Sequence, residues 1–172
     1  MDDACGSAGH DAEAAGARLR LALVEPDIAG NVGTMIRLAA CFAVPIDIVE
    51  PCGFAFGARA LKRAGMDYGT HAAIARHADW NGFAGAMAGR RLVALSSGGA
   101  TALPDARFMP GDVLLMGAES RGLPPAARDA AALAVRIPLA PGMRSLNVAV
   151  AAGIALAEAL RQTGGFPSGD ER

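Results

Sequence analysis

Residues 19–43 read Leu19-Arg-Leu-Ala-Leu-Val-Glu-Pro-Asp-Ile-Ala-Gly-Asn-Val-Gly-Thr-Met-Ile-Arg-Leu-Ala-Ala-Cys-Phe-Ala43. An apolar run, Leu19–Val24, enters a turn marked by Pro26 and Gly30. A helical stripe follows, in which Val32, Met35, Ile36, Ala39 and Ala43 recur at i, i+3, i+4, i+7 and i+11. Asn31 stands where an N-cap belongs. The same alternation continues along the chain. Further strands are expected at Ile46–Val49, Ala72–Ala75, Arg91–Leu95, Val113–Met116 and Ala134–Ile137. Helices are expected at Val32–Ala43, Ala58–Ala64, Asn81–Ala88, Pro125–Ala131 and Asn147–Gln162. Short apolar strands alternating with helices imply an α/β fold, a parallel sheet flanked by helices on both faces. Such sheets bind ligands beyond the carboxyl ends of their strands.

The chain has 172 residues, 52% of them hydrophobic, enough for one domain with a buried core. Aromatics make up only 5%, so Ala, Val, Leu and Ile must build that core. The domain is expected over residues 18–164, between a disordered acidic tail at 1–17 and a short disordered tail at 165–172. The longest apolar stretch, Leu146–Ala157, is too short to span a membrane. The acidic start, Met1-Asp2-Asp3, lacks the positive region of a secretory signal. A cytoplasmic protein with no membrane partner is expected. Cys5, Cys41 and Cys52 form no CxxC pair, and His10, His71 and His77 are not at ligand spacing, so neither disulfides nor a metal are expected. The net charge of −1 hides an asymmetry. Residues 1–17 hold four acids, and the remaining body carries 16 basic against 13 acidic groups. That mildly basic body permits RNA binding without demonstrating it. Fifteen of the basic residues are Arg, which suits bidentate phosphate contacts, although a compositional bias would give the same count.

Three segments, each after an expected strand, carry the candidate chemistry. They are Glu25–Arg37, Met116-Gly-Ala-Glu-Ser-Arg-Gly-Leu-Pro124 and Ile137-Pro-Leu-Ala-Pro-Gly-Met-Arg-Ser-Leu-Asn147. Their Gly and Pro content marks sharp turns where polar groups can converge. Neither GxGxxG nor GxxxxGK[ST] occurs, which removes the dinucleotide fingerprint and the P-loop. No GxSxG elbow is present. Glu25 and Asp27 read as turn and cap residues. From the pattern alone, a nucleotide-like ligand at the strand ends is as far as the reading goes.

Taken together, the segments resemble the motifs of the SPOUT superfamily of knotted methyltransferases. Within it they are most similar to the small tRNA 2′-O-methyltransferases that act on the wobble cytidine or uridine. Asn31, Gly33 and Arg37 match the first motif, Gly117–Pro124 the second, and Ile137-Pro-Leu with Arg144-Ser-Leu-Asn147 the third. Ile48-Val-Glu-Pro-Cys-Gly-Phe54 and Leu61-Lys-Arg-Ala-Gly-Met-Asp-Tyr68 also look like this subgroup. Thr34 departs from it, standing where a second Asn is expected, and so does Val148-Ala-Val-Ala-Ala-Gly153, which looks like broader ribose methyltransferases.

The resemblance implies a deep C-terminal trefoil knot, S-adenosylmethionine as cofactor, tRNA as partner and a homodimer. It places the cofactor against Leu95, Gly117, Ile137, Ser145 and Leu146. It implies catalytic roles for Arg37, Asn31, Ser145, Asn147 and Glu119. Arg37 would act on the ribose hydroxyl; because guanidinium stays protonated, orienting phosphate and stabilising the alkoxide suit it better than acting as base. Asn31 would hydrogen-bond the ribose or fix Arg37, and Glu119 would position Arg37 or the nucleotide. Ser145 and Asn147 stand where they can cap the last helix, bind cofactor or accept the 2′-hydroxyl. Arg121 and Arg144, then Lys62 and Arg63, are the expected RNA-phosphate contacts. Ribosomal RNA as substrate, or a non-catalytic RNA-binding module on the same fold, are the competing readings.

Overall fold

The computed structural model describes residues 18–55 and 73–168. The expected tail at 1–17, the expected helix Ala58–Ala64, and Lys62 and Arg63 lie outside the described residues. In chain order the elements are β1 (Arg20–Val24), α1 (Ala29–Cys41), β2 (Ile46–Val49), β3 (Ile74–His77), α2 (Trp80–Ala86), β4 (Leu92–Leu95), β5 (Thr101–Ala102), a 3-10 turn (Leu103–Asp105), β6 (Val113–Met116), α3 (Pro125–Asp129), β7 (Leu133–Arg136) and α4 (Val148–Thr163). The sheet runs β3-β2-β1-β6-β4-β7-β5. Every pairing between these strands is parallel.

Side-chain alternation along each strand feeds two cores. Leu21 and Leu23 face one core, shared with Met35 and Ile36 of α1 and with Ala152, Ala155 and Leu156 of α4. Ala22 and Val24 face the other, with Phe83 of α2 and Ala127 of α3. The sheet is therefore covered on both faces, which is why β2 and β6 are buried along their whole length. The buried alanines of α4 let it lie close against α1.

The expected N-cap at Asn31 is wrong. Helix α1 begins at Ala29 with Ile28 at the N-cap and no side-chain cap bond. Asn31 is inside the first turn, and its amide is drawn off to tertiary partners instead. Ala43, the last member of the expected stripe, falls outside the helix with φ of 52°. The Val44 amide donates to the Ala39 carbonyl there, at 2.9 Å, and Val44 is buried in its place. β3 starts two residues later than expected because its register pairs Ile74 with Ile46 and His77 with Val49. β7 ends at Arg136, leaving Ile137 in the following loop. β5, with two residues, is too short for any periodicity to announce it. At the other end Asn147 does cap α4, its Oδ1 accepting from the Ala149 and Val150 amides. Gly164 closes that helix in the left-handed region, and Phe166 folds back edge-on against Phe42.

Candidate active site

β4, β6 and β7 end side by side, and the loops that leave them enclose a cavity of about 460 Å³. All five residues expected at the cofactor, Leu95, Gly117, Ile137, Ser145 and Leu146, lie on its wall. Glu119, Arg121 and Arg144 lie there too. The ligand end of the sheet is thus the carboxyl end of its strands, as parallel topology requires.

Glycine is demanded at 117 for a definite reason. A Cβ there would sit 2.3 Å from the Gly122 carbonyl carbon and 2.3 Å from the Leu123 nitrogen. The loop doubles back on itself through an antiparallel bridge between Ala118 and Gly122, the latter at φ of 72°. Gly117 therefore serves an approach of chain to chain. Gly99 does the same in the loop after β4, where a Cβ would meet the Val135 carbonyl carbon at 2.5 Å. The Arg136 guanidinium pins that loop by donating to the carbonyls of Gly99 at 2.9 Å and Ala100 at 2.7 Å.

The three motif segments are joined by one line of hydrogen bonds. The Asn147 Oδ1 receives the first free amides of α4. Its Nδ2 donates to the Asn31 Oδ1 at 3.0 Å. The Asn31 Nδ2 donates in turn to the Glu119 carboxylate. Three of the expected catalytic residues, up to 116 positions apart in sequence, thus form one chain, which meets the cavity wall at Glu119. Arg37 lies on the exposed side of α1, off the wall of the cavity.

Sequence reasoning missed three residues that build this site. Asp27, read as a turn residue, accepts the backbone amides of Glu119 at 2.9 Å and Ser120 at 3.1 Å. A hydrogen bond from the Ser120 side chain, with those amides, holds its carboxyl below the usual value of 3.8 against the opposing cost of desolvation. Glu25, in the left-handed region at φ of 49°, pairs with Arg121 at 2.9 Å. The one available signal was the pair of carboxylates flanking Pro26 at a strand end. Arg128 of α3 adds a third guanidinium to the wall beside Arg121 and Arg144. Among the described residues, no group of three His, Cys, Asp or Glu is placed to hold a metal, and no helix is long and apolar enough to cross a membrane.

The profile of the SpoU rRNA Methylase family matches residues 18–157. A tRNA (cytidine(34)-2′-O)-methyltransferase from Ancylobacter novellus is 50% identical over 150 residues, covering 86% of this chain and 95% of that protein. A solved structure described as giving insights into the 2-OH methylation of C/U34 on tRNA superposes with a TM-score of 0.80 at 41% identity, covering 84% of this chain and 95% of that one. An AdoMet-bound rRNA methyltransferase from Sinorhizobium meliloti superposes with a TM-score of 0.75 at 33% identity, covering 84% of this chain but 56% of that one.

Proposed function

The chain belongs to the SpoU rRNA methylase family, and we propose that it transfers a methyl group from S-adenosylmethionine to the ribose 2′-hydroxyl of the wobble cytidine or uridine of tRNA. The observation that carries this is a cavity at the strand ends, walled by two of the distant segments and tied by hydrogen bonds to the third. The relatives that the chain matches almost end to end act on tRNA position 34.

The cavity fits the cofactor. Its volume of about 460 Å³ suits a ligand of that size. Leu95, Ile137 and Leu146 offer apolar walls for a flat base, while the backbone at the strand ends offers donors and acceptors for its edge. Held by these residues, S-adenosylmethionine would supply a sulfonium methyl for in-line transfer to the attacking oxygen, the electrons of the carbon–sulfur bond leaving with sulfur. The protein's task is to hold the 2′-oxygen on that line and to ease loss of its proton. Glu119, fixed by Asn31, stands where it can accept a hydrogen bond from the ribose. Arg121 and Arg144 line the mouth as cations for the flanking phosphates. Arg37 stabilises the developing alkoxide.

Arg37 reaches a cavity through dimerisation in this reading. Val150 and Ile154 expose apolar side chains on α4, 51% and 40% accessible, next to α1. An isologous contact of α1 and α4 with their counterparts covers that face and carries Arg37 to the cavity of the other subunit. The reading also includes a trefoil knot. It is supported by the tight passage of the 96–100 loop over Val135. In this reading the protein works on tRNA in the cytoplasm.

The deciding experiment is methyl transfer from labelled S-adenosylmethionine to tRNA lacking wobble 2′-O-methylation, with ribosomal RNA in parallel. Label on the ribose of nucleotide 34 is expected. Label only in ribosomal RNA overturns the substrate and keeps the chemistry. Arg37→Lys keeps the charge but loses the guanidinium fork, so kcat is expected to fall at least about tenfold. A wild-type rate in that variant refutes the role. Sedimentation at micromolar concentration should give a dimer, and a fully active monomer refutes the shared site.

A further inference from the structure

We propose that Asp27 and Glu25 form a two-carboxylate clamp that positions the Glu119-Ser120-Arg121 loop for methyl transfer. The proposal rests on the reading of the cavity given above. Both carboxylates come from one three-residue turn, and each grips the same loop by a different handle. Asp27 takes the two successive amides of Glu119 and Ser120. Glu25 takes the Arg121 guanidinium. The loop lies 92 to 96 positions further along the chain, so nothing local in sequence holds it.

The turn itself is braced. The Glu25 amide donates to the Val49 carbonyl at the end of β2, at 2.9 Å. The Gly53 amide donates to the Pro26 carbonyl, also at 2.9 Å. Gly53 packs so closely behind Asp27 that a Cβ would stand 2.9 Å from its Cα. The clamp is therefore anchored to β1, β2 and the segment after β2, while the loop it grips leaves β6. A carboxylate accepting two adjacent amides is a strong, charge-assisted arrangement with a fixed direction. It sets the height of Glu119 over the cavity and leaves its side chain for Asn31. It fixes the start of the loop on whose far side Gly122 bridges back to Ala118. Without it, Glu119 keeps its bond to Asn31 only by holding the loop through a single side chain. Asp27 and Glu25 are positioning residues: neither lies on the wall of the large cavity.

The test combines two readouts on the full-length protein. The first is amide hydrogen exchange at Glu119 and Ser120, which needs neither cofactor nor tRNA. Asp27→Ala should remove the protection of both amides, and Asp27→Asn, which keeps the size but one acceptor oxygen, should weaken it. The second is kinetic. Asp27→Asn should lower kcat about ten- to hundredfold, with KM for tRNA and the dissociation constant for S-adenosylhomocysteine within about threefold. Because Asp27 acts through Glu119, Asp27→Asn combined with Glu119→Gln should lose little more than Glu119→Gln alone. Wild-type kcat in Asp27→Asn, multiplicative losses in the double variant, or unchanged exchange at the two amides would each overturn the clamp. An enzyme inactive on tRNA would instead sink the reading of its function, and the exchange result would still decide the clamp.

Discussion

The two edges of the sheet use the same chemistry for opposite ends. Toward the end where β1, β4 and β6 begin, carboxylates are buried and paired with arginines. Asp47 has no exposed surface and takes a two-toothed grip from Arg20, at 2.7 and 3.0 Å, with the His77 Nε2 at 2.8 Å. Asp112, 1% exposed, is gripped by Arg91 at 2.8 and 2.6 Å and also accepts the Met109 amide. At the edge where strands end, Glu119 and Arg121 are exposed, and their partners leave part of each group facing the cavity. A buried charge has to be paired, and losing its partner unsettles the fold. Charge held in place with valence to spare is what a substrate can meet.

That contrast can be broken from either side. The largest effect is expected at the starting edge. Asp47→Ala strands the partly buried Arg20, and removal of one partner from a buried pair costs about 3–5 kcal/mol. Denaturant unfolding should record that loss, while activity per folded molecule stays near wild type. Equal damage to stability and to catalysis per folded molecule would erase the distinction between the edges. A smaller cost, about 1–3 kcal/mol of overpacking, is expected for Gly117→Ala, whose new Cβ has no room against Gly122. Here the order of effects reverses, and cofactor affinity, measured by calorimetry, should fall by more than the stability loss alone explains. Unchanged affinity would mean that the loop after β6 does not shape the cavity.

The smallest effect sharpens the comparison through pH. The Asp27 carboxyl sits below its usual 3.8 in the folded chain. Its contribution is therefore complete above that value and is lost as pH falls through the depressed one. Stability should rise with pH across that acidic window less steeply in Asp27→Asn than in wild type. Glu158, held down to about 2 by its hydrogen bond from Arg161, titrates in both proteins, so the difference between them isolates Asp27. Identical acid profiles would show that Asp27 carries no such linkage.

Much of this architecture could be read from the chain. β2 and β6 stand where their apolar runs placed them, and Asn147 caps α4 as its position suggested. The five residues expected at the cofactor are neighbours on one wall, at the carboxyl ends of the strands where a parallel sheet opens its pocket. The misreadings share a cause. Asn31 looked like a cap because capping is a local signal, yet its partners lie 88 and 116 positions away. The turn carboxylates Glu25 and Asp27 look local for the same reason, since their partners lie 92 to 96 positions away. Asp47 carries a usable signal in the sequence. An acid inside Ile46-Asp-Ile-Val49, a strand otherwise wholly apolar, requires a cation on a neighbouring strand.

The line of bonds from α4 to Glu119 has a direction. The helix amides donate to Asn147, Asn147 donates to Asn31, and Asn31 donates to Glu119. Each asparagine receives with its oxygen and gives with its nitrogen, so the row is polar from end to end. Exchange of one amide nitrogen for oxygen, a change of a single heavy atom, would set acceptor against acceptor at that joint. Slow hydrolysis of asparagine side chains makes that change without any mutation. The working lifetime of this protein is then tied to two nitrogen atoms, and an aged sample could stay folded after its site has been silenced.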